Sequence, residues 1–204
     1  IWPAQIHDCK AAIRWLRANA KQYGADSKKI IVAGSSAGGH LVAMLGTSGD
    51  VQELEGNLGN NVDKSSRVDG VINFFGPSDL ASMGGWHNNS DSPESLLLGG
   101  TVPENKKIAQ AASPITYASK DDPPFLTIHG TNDSVVPFEQ SVQLTKALQK
   151  AGAFAQLIPI EGGGHGRPRL RVLDDRIQLF LENQVNGTNH KISTESIPSP
   201  KRSR

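Results

Sequence analysis

The chain has 204 residues, a formal net charge of +1, 37% hydrophobic residues and 20% charged residues. This length and composition indicate one globular domain or slightly more, and they exclude a collagen, a coiled coil and a wholly disordered chain. A net charge near zero excludes the strong basic field of a nucleic-acid binder, and no apolar run approaches the roughly 18 residues of a membrane helix. The single cysteine, Cys9, excludes an internal disulfide.

The first residue is Ile1 rather than methionine, and no signal peptide is visible. Because the first residues already have the pattern of a helix entry, we expect further sequence upstream. The sequence therefore assigns no cellular location, and secreted, periplasmic and cytoplasmic locations all stay open.

Apolar periodicity predicts alternating helices and strands along the chain. Apolar residues spaced three and four apart from Ile6 to Tyr23 predict an amphipathic helix that ends at Gly24. Short apolar runs predict buried strands at 29–33, 68–75, 124–129 and 154–160, with helices at 37–46, 142–151 and 170–181. This order predicts an α/β fold with a mostly parallel sheet and helices on both of its faces.

Two segments do not fit this alternation. Residues 80–124 form a long excursion of mixed polarity with a short helix near 104–112, and such excursions often carry function. We predict that this excursion is a cap-like or lid-like segment. Residues 186–204 are rich in Ser, Thr, Pro, Lys and Arg, so we predict a disordered tail after a folded part at 1–185.

The stretch Gly34-Ser35-Ser36-Ala37-Gly38 matches the Gly-x-Ser-x-Gly pattern of a nucleophile elbow. It lies directly between a predicted strand and a predicted helix, which is the context that an elbow requires. The glycines relieve crowding around a strained serine, and the helix N-terminus directs backbone N–H groups towards an anion formed at Ser36. The alternative is a glycine-rich strand–helix turn without a catalytic use.

A nucleophilic serine needs a base, and the base needs an acid that orients it. His165 lies in a glycine-rich loop after the fourth predicted strand, where it can reach Ser36. Asp133 follows the third predicted strand, so the chain order is Ser36, Asp133, His165, as in α/β-hydrolases. Asp79 is the alternative acid, although a turn-capping role suits it better. The other histidines suit packing, turn-forming or surface roles: His7, His40, His87, His129 and His190.

Around these residues the sequence resembles serine esterases of the α/β-hydrolase fold. The similarity covers about residues 3–185, and the stretches that carry it are 8–17, 34–41, 75–79, 112–115, 123–125, 129–133 and 164–166. Within that fold the chain is most similar to the group that includes bifunctional feruloyl and acetyl-xylan esterases, which is related to hormone-sensitive-lipase-like and prolyl-oligopeptidase-like hydrolases. The resemblance implies Ser36 as nucleophile, Asp133 as acid, His165 as base and Ala37 as an oxyanion N–H donor.

The resemblance also implies that residues 1–185 are the C-terminal part of an N-terminally truncated catalytic domain. In these esterases a His-Gly-Gly type segment after an early strand supplies further oxyanion donors, and residues 1–33 contain no such segment. We therefore expect the first strands and that segment upstream, and little or no esterase activity from residues 1–204 alone.

The sequence thus predicts a serine hydrolase that cleaves carboxylic esters through an acyl-enzyme, and the resemblance points to acetyl or feruloyl esters of carbohydrates. The alternatives are a prolyl-oligopeptidase-like peptidase and a non-catalytic binding module of the same fold. Candidate substrate contacts are Ser35, Trp86, His87 and Tyr117, although ordinary packing is the simpler explanation for the aromatic ones. We expect a small-molecule or carbohydrate ester as partner and no cofactor, metal, nucleic acid or membrane, while the oligomeric state and the particular ester stay undefined.

Overall fold

Five parallel strands form one sheet in the computed structural model, which describes residues 1–200. The strands follow each other in the sheet in chain order, as β1 (Ile31–Ser35), β2 (Gly70–Phe74), β3 (Phe125–Gly130), β4 (Ala155–Glu161) and β5 (Ile197–Pro198). The helices are α1 (Ala4–Asn19), α2 (Ala37–Thr47), α3 (Pro93–Leu98), α4 (Lys106–Ala111), α5 (Glu139–Ala151) and α6 (Arg171–Asn186). Because every pairing is parallel, the carboxyl ends of all strands lie at one edge of the sheet.

Alternate residues of the central strands point to opposite faces of the sheet, as the period of two requires. Val71 and Phe125 belong to the core cluster that includes residues of α1, α2 and α5. Their neighbours Ile72 and Leu126 belong to a second cluster, in which Phe180 of α6 packs on the other face. The predicted α/β class, with a mostly parallel sheet and helices on both faces, is confirmed, whereas the expectation of further strands before β1 stays a prediction.

Residues 80–124 contain α3, α4 and several 3₁₀ turns between β2 and β3. This segment agrees with the predicted excursion, and its role as a cap or lid stays a prediction. Within residues 1–200, no helix combines the length and apolar character needed to cross a bilayer.

The prediction of a disordered tail is wrong for residues 187–200. Ile197 of β5 pairs with Ile160 of β4, and the side chains of Ile192 and Ile197 are buried in the cluster beneath α6. The Arg176 guanidinium also donates a 2.6 Å hydrogen bond to the carbonyl of Glu195. The buried side chains of Ile192 and Ile197 lie against β4 and α6, a surface that composition alone does not reveal. Residues 201–204 lie outside the described part of the chain.

Candidate active site

The candidate nucleophile occupies a strained position between β1 and α2. Ser36 has φ 56° and ψ −122°, and its backbone N–H donates a 2.9 Å hydrogen bond to the carbonyl of Phe74. A positive φ in a non-glycine residue costs on the order of 1–3 kcal/mol and needs support from surrounding structure. Here that support comes from the β1–β2 pairing before the turn and from α2, which begins at the next residue.

The tight packing of the elbow explains two of its glycines. A Cβ on Gly34 would lie 2.2 Å from the carbonyl oxygen of Gly38, and one on Gly39 would lie 2.6 Å from Asn73 Oδ1. By contrast, a Cβ on Gly38 would meet nothing within 4 Å. The close approach of α2 to β2 therefore requires Gly39, which lies outside the five-residue motif, rather than Gly38, which lies within it.

The structure brings the three predicted residues into one hydrogen-bonded chain. His165 Nε2 lies 2.9 Å from Ser36 Oγ, and His165 Nδ1 lies 2.7 Å from Asp133 Oδ2. The Asp133 side chain is fully buried, whereas that of His165 is 22% exposed. With the Nδ1 proton directed to the carboxylate, Nε2 offers its lone pair to the hydroxyl of Ser36, which is the proton arrangement that a serine nucleophile requires.

Asp133 is held as a carboxylate by its hydrogen bonds. Burial by itself would raise the pKa of Asp133, but the hydrogen bonds from His165 and from the backbone of Val136 and Val135 lower that pKa below its ordinary value of 3.8. The two backbone N–H groups donate to Oδ1 at 2.8 and 2.9 Å, which leaves Oδ2 to face His165.

A second histidine contacts the same carboxylate oxygen. His129 Nε2 lies 3.1 Å from Asp133 Oδ2 and 3.0 Å from the carbonyl of Val136, and its Nδ1 lies 2.6 Å from Ser141 Oγ. Burial lowers the pKa of His129, so the ring is neutral at pH 7 with its proton on Nε2 and a lone pair on Nδ1 for the Ser141 hydroxyl. Sequence reasoning gave His129 a turn-forming role and missed its contact with the acid.

Phe75 is a further residue that sequence reasoning missed. It has φ 45°, and its buried ring lies edge-on to the His165 imidazole with 4.6 Å between the ring centroids. A positive φ is unusual for a bulky residue. Its position before Gly76-Pro77 at the end of a strand was visible in the sequence, but the backbone conformation that turns its ring towards His165 was not.

Three further residues predicted from the sequence lie outside the hydrogen-bonded chain of Ser36, His165 and Asp133. Ala37 begins α2, so its N–H has no acceptor within the helix, as expected for the first turn, and its role as an oxyanion donor stays a prediction. Ser35 ends β1 and is exposed. Asp79, the alternative acid, accepts a hydrogen bond from Ala81 N and caps a 3₁₀ turn.

The aromatic candidates for substrate contacts show no hydrogen bond or ring contact with Ser36, Asp133 or His165 among the described residues. Trp86 is 45% exposed and stacks on the buried His87 with a centroid distance of 3.9 Å. Tyr117 donates a hydrogen bond to the carbonyl of Ala111 within its own segment. Their roles as substrate contacts stay predictions.

The sheet order, the elbow after β1 and the succession of serine, acid and histidine place the chain in the α/β-hydrolase class. Solved structures support this class: a truncated form of a carbohydrate esterase from gut microbiota is 40% identical with a TM-score of 0.84, covering 90% of this chain and 69% of that one. A bifunctional GH43-CE protein of Bacteroides eggerthii is also 40% identical with a TM-score of 0.85, covering 90% of this chain and 27% of that one.

The family model of BD-FAE matches residues 1–148, and the chain belongs to the BD-FAE family. It is also 34% identical over 211 residues to Esterase LipC of Mycobacterium tuberculosis (strain ATCC 25618 / H37Rv), covering 96% of this chain and 50% of LipC. The chain thus spans about half the length of that curated relative. These matches confirm the resemblance to the esterase group that the sequence motifs indicated.

Proposed function

We propose that the protein hydrolyses carboxylic esters, with Ser36 as nucleophile, His165 as general base and Asp133 as the acid that orients it. The observation that carries this proposal is the 2.9 Å contact between His165 Nε2 and Ser36 Oγ, with Asp133 on the opposite ring nitrogen. A decayed binding module would not be expected to keep this complete chain of contacts.

In the acylation step His165 Nε2 takes the hydroxyl proton while Ser36 Oγ bonds to the ester carbonyl carbon. The carbonyl oxygen becomes an anion that the N–H of Ala37 stabilises, and loss of one such donor typically costs about 2.7–4 kcal/mol. The carbon–oxygen bond to the alcohol then breaks, and the alcohol leaves with the proton from His165. Water, deprotonated by His165, attacks the acyl-enzyme and releases the carboxylic acid and the free serine.

The substrate class that we propose is an ester of a carbohydrate, such as an acetyl or feruloyl ester. The support is the names of similar proteins, a carbohydrate esterase and a bifunctional GH43-CE protein. We also propose that residues 80–124 form a cap over the site, since Pro93, Glu94 and Leu97 from this segment line a cavity together with Ala37.

A fluorophosphonate probe on the full-length protein, read by peptide mass spectrometry, tests the nucleophile. We expect labelling at Ser36 only, and a loss of labelling with a kcat decrease of about 10⁴-fold or more in Ser36→Ala. Ser35→Ala is the matched control, because it removes the neighbouring hydroxyl from the same turn and should keep labelling. Labelling at another residue, or equal losses in both variants, would show that Ser36 is not the nucleophile.

A further inference from the structure

His129 is a buried residue of β3 that contacts the candidate acid from outside the three-residue chain. Its side chain is fully buried, and its ring lies edge-on to the rings of Phe75 and Phe138 at centroid distances of 6.2 and 5.5 Å. A ring without exposed surface cannot contact an ester. Any effect of His129 on the reaction must therefore pass through one of its neighbours.

The neighbours of His129 fix which ring nitrogen carries the proton. Nε2 lies 3.0 Å from the carbonyl oxygen of Val136 and 3.1 Å from Asp133 Oδ2, and both oxygens are acceptors. Nδ1 lies 2.6 Å from the hydroxyl oxygen of Ser141 in α5, which can donate. Burial lowers the pKa of His129, so the ring is neutral and its proton lies on Nε2. His129 is therefore a neutral hydrogen-bond donor to Asp133.

Asp133 Oδ2 thus receives two N–H donors, which the chain holds in different ways. His165, at 2.7 Å, belongs to the loop 162–166, in which four of the five residues are glycine, and its side chain is 22% exposed. His129 belongs to a strand that pairs with β2 and β4, and its other ring nitrogen contacts Ser141 of α5. The donor from β3 is therefore the more firmly held of the two.

Val136 connects the turn after β3 to the same carboxylate. Its N–H donates to Asp133 Oδ1 at 2.9 Å, and its carbonyl accepts from His129 Nε2 at 3.0 Å. The Nε2 proton is shared between this carbonyl and Asp133 Oδ2, so His129, Val136 and Asp133 form a closed ring of hydrogen bonds. Rotation of the carboxylate would break hydrogen bonds on both of its oxygens.

We propose that His129 is a positioning residue for the ester hydrolysis, whose Nε2–H holds Asp133 Oδ2 in line with His165 Nδ1. The inference rests on the proposed function of Ser36, His165 and Asp133. A donor on Oδ2 also favours the ionised carboxylate, which helps to keep the Nδ1 proton on His165. His129 transfers no proton and forms no bond to the substrate.

Two substitutions of similar side-chain length separate the Nε2–H from the rest of the ring. The amide nitrogen of His129→Gln stands as many bonds from Cα as Nε2 does and keeps a donor, whereas His129→Met places a methyl group there. Both variants lose the acceptor for Ser141, so the difference between them reports the donor. For p-nitrophenyl acetate and the full-length protein, we expect kcat to fall about 30-fold in His129→Met and about threefold in His129→Gln, with KM changed by less than about twofold.

A double-mutant cycle separates the hydrogen bond to Asp133 from the one to Val136. The readout is the rate constant for labelling of Ser36 by a fluorophosphonate, which stays measurable in slow variants. We expect His129→Met to lower this rate constant about 30-fold in the wild type and at most about threefold in the Asp133→Asn background. Equal losses in both backgrounds, or equal kcat values for the Gln and Met variants, would overturn the proposal and leave His129 a turn-forming residue.

Proton NMR gives a measurement that does not depend on hydrolysis. The proton between His165 Nδ1 and Asp133 Oδ2 should give a low-field resonance that Asp133→Asn removes, that His129→Gln keeps and that His129→Met broadens. An unchanged resonance in His129→Met would overturn the positioning role. If the wild type hydrolyses no ester but the resonance responds as expected, ester hydrolysis fails and the positioning of Asp133 by His129 stands. If Ser36→Ala abolishes hydrolysis while His129→Met keeps the wild-type kcat, the positioning proposal alone fails.

Discussion

The two ends of β3 carry aspartates whose pKa values are shifted in opposite directions. Asp122 lies before the strand and accepts hydrogen bonds from the backbone N–H and the hydroxyl of one residue, Ser119. Asp133 lies after the strand, and its carboxylate contacts donors on four residues: His129, Val135, Val136 and His165. Burial raises the pKa of Asp122 to about 6, whereas the donors around Asp133 lower its pKa despite burial.

The difference shows that burial alone does not set the charge of a carboxyl group in this fold. Each N–H donor favours the charged form, and at the carboxyl end of β3 the backbone of residues 135 and 136 supplies two of them directly. A permanently charged Asp133 can hold the proton on Nδ1 of His165. At the amino end of the same strand, Ser119 is the one residue among 1–200 that donates hydrogen bonds to Asp122, so Asp122 is protonated in mildly acidic solution.

The largest decrease in kcat is expected from removing the charge of Asp133, at the carboxyl end of β3. Asp133→Asn should lower kcat about 10⁴-fold, because an amide in that position favours the wrong tautomer of His165. The measurement is hydrolysis of p-nitrophenyl acetate by the full-length protein, together with a folding check by circular dichroism. Asp79→Asn is the control, since Asp79 was the alternative acid and caps a turn. Equal losses in the two variants would contradict the assignment of Asp133.

A smaller effect is expected from Gly130→Ala, at the last residue of β3. The added Cβ would lie 2.3 Å from the carbonyl oxygen of Gly163 and 2.6 Å from that of Gly164, so the loop that carries His165 must move. We expect a destabilisation of about 1–3 kcal/mol and a loss of up to about 100-fold in kcat as His165 shifts from Asp133.

Thermal or urea unfolding, combined with kcat, measures both effects of Gly130→Ala. Gly164→Ala is the matched control in the same loop, because its Cβ would meet nothing within 4 Å. If Gly164→Ala reduces kcat and stability as much as Gly130→Ala does, crowding at the end of β3 is not the cause.

Sequence reasoning reached those features that depend on local pattern and chain order. The apolar runs located β1 to β4, and the position of each polar residue after a strand was enough to bring Ser36, Asp133 and His165 together. Parallel strands end at one edge of the sheet, so order along the chain translates into proximity in space.

The features that sequence reasoning missed depend on contacts between distant segments. The hydrogen bond from His129 to Asp133 requires knowledge of side-chain orientation, and the ring of Phe75 reaches His165 through a positive φ that no propensity predicts. Ile197 was counted as part of a polar tail, since its partner β4 lies some 40 residues earlier in the chain.

The smallest expected effect is a change in the free energy of unfolding caused by Asp122, at the amino end of β3. Since its pKa is about 6 in the folded protein and 3.8 ordinarily, the folded state binds this proton more tightly than the unfolded state does. The contribution of Asp122 to the free energy of unfolding should therefore be highest below about pH 4 and fall as the pH rises through 6. This difference in pKa between the folded and unfolded states corresponds to roughly 3 kcal/mol of stability. Solvent screening reduces that contribution to about 1 kcal/mol, because Asp122 is partly exposed.

Asp122→Asn should remove that decline, so the variant should gain about 1 kcal/mol relative to the wild type between pH 4 and pH 7. Urea unfolding at both pH values measures the gain. Asp91→Asn, at an exposed aspartate, should show no such gain. The pKa of Asp133 is shifted the other way, so Asp133 stays charged over this range. A loss of stability in Asp122→Asn would therefore mean that the two ends of β3 do not differ as their hydrogen-bond donors require.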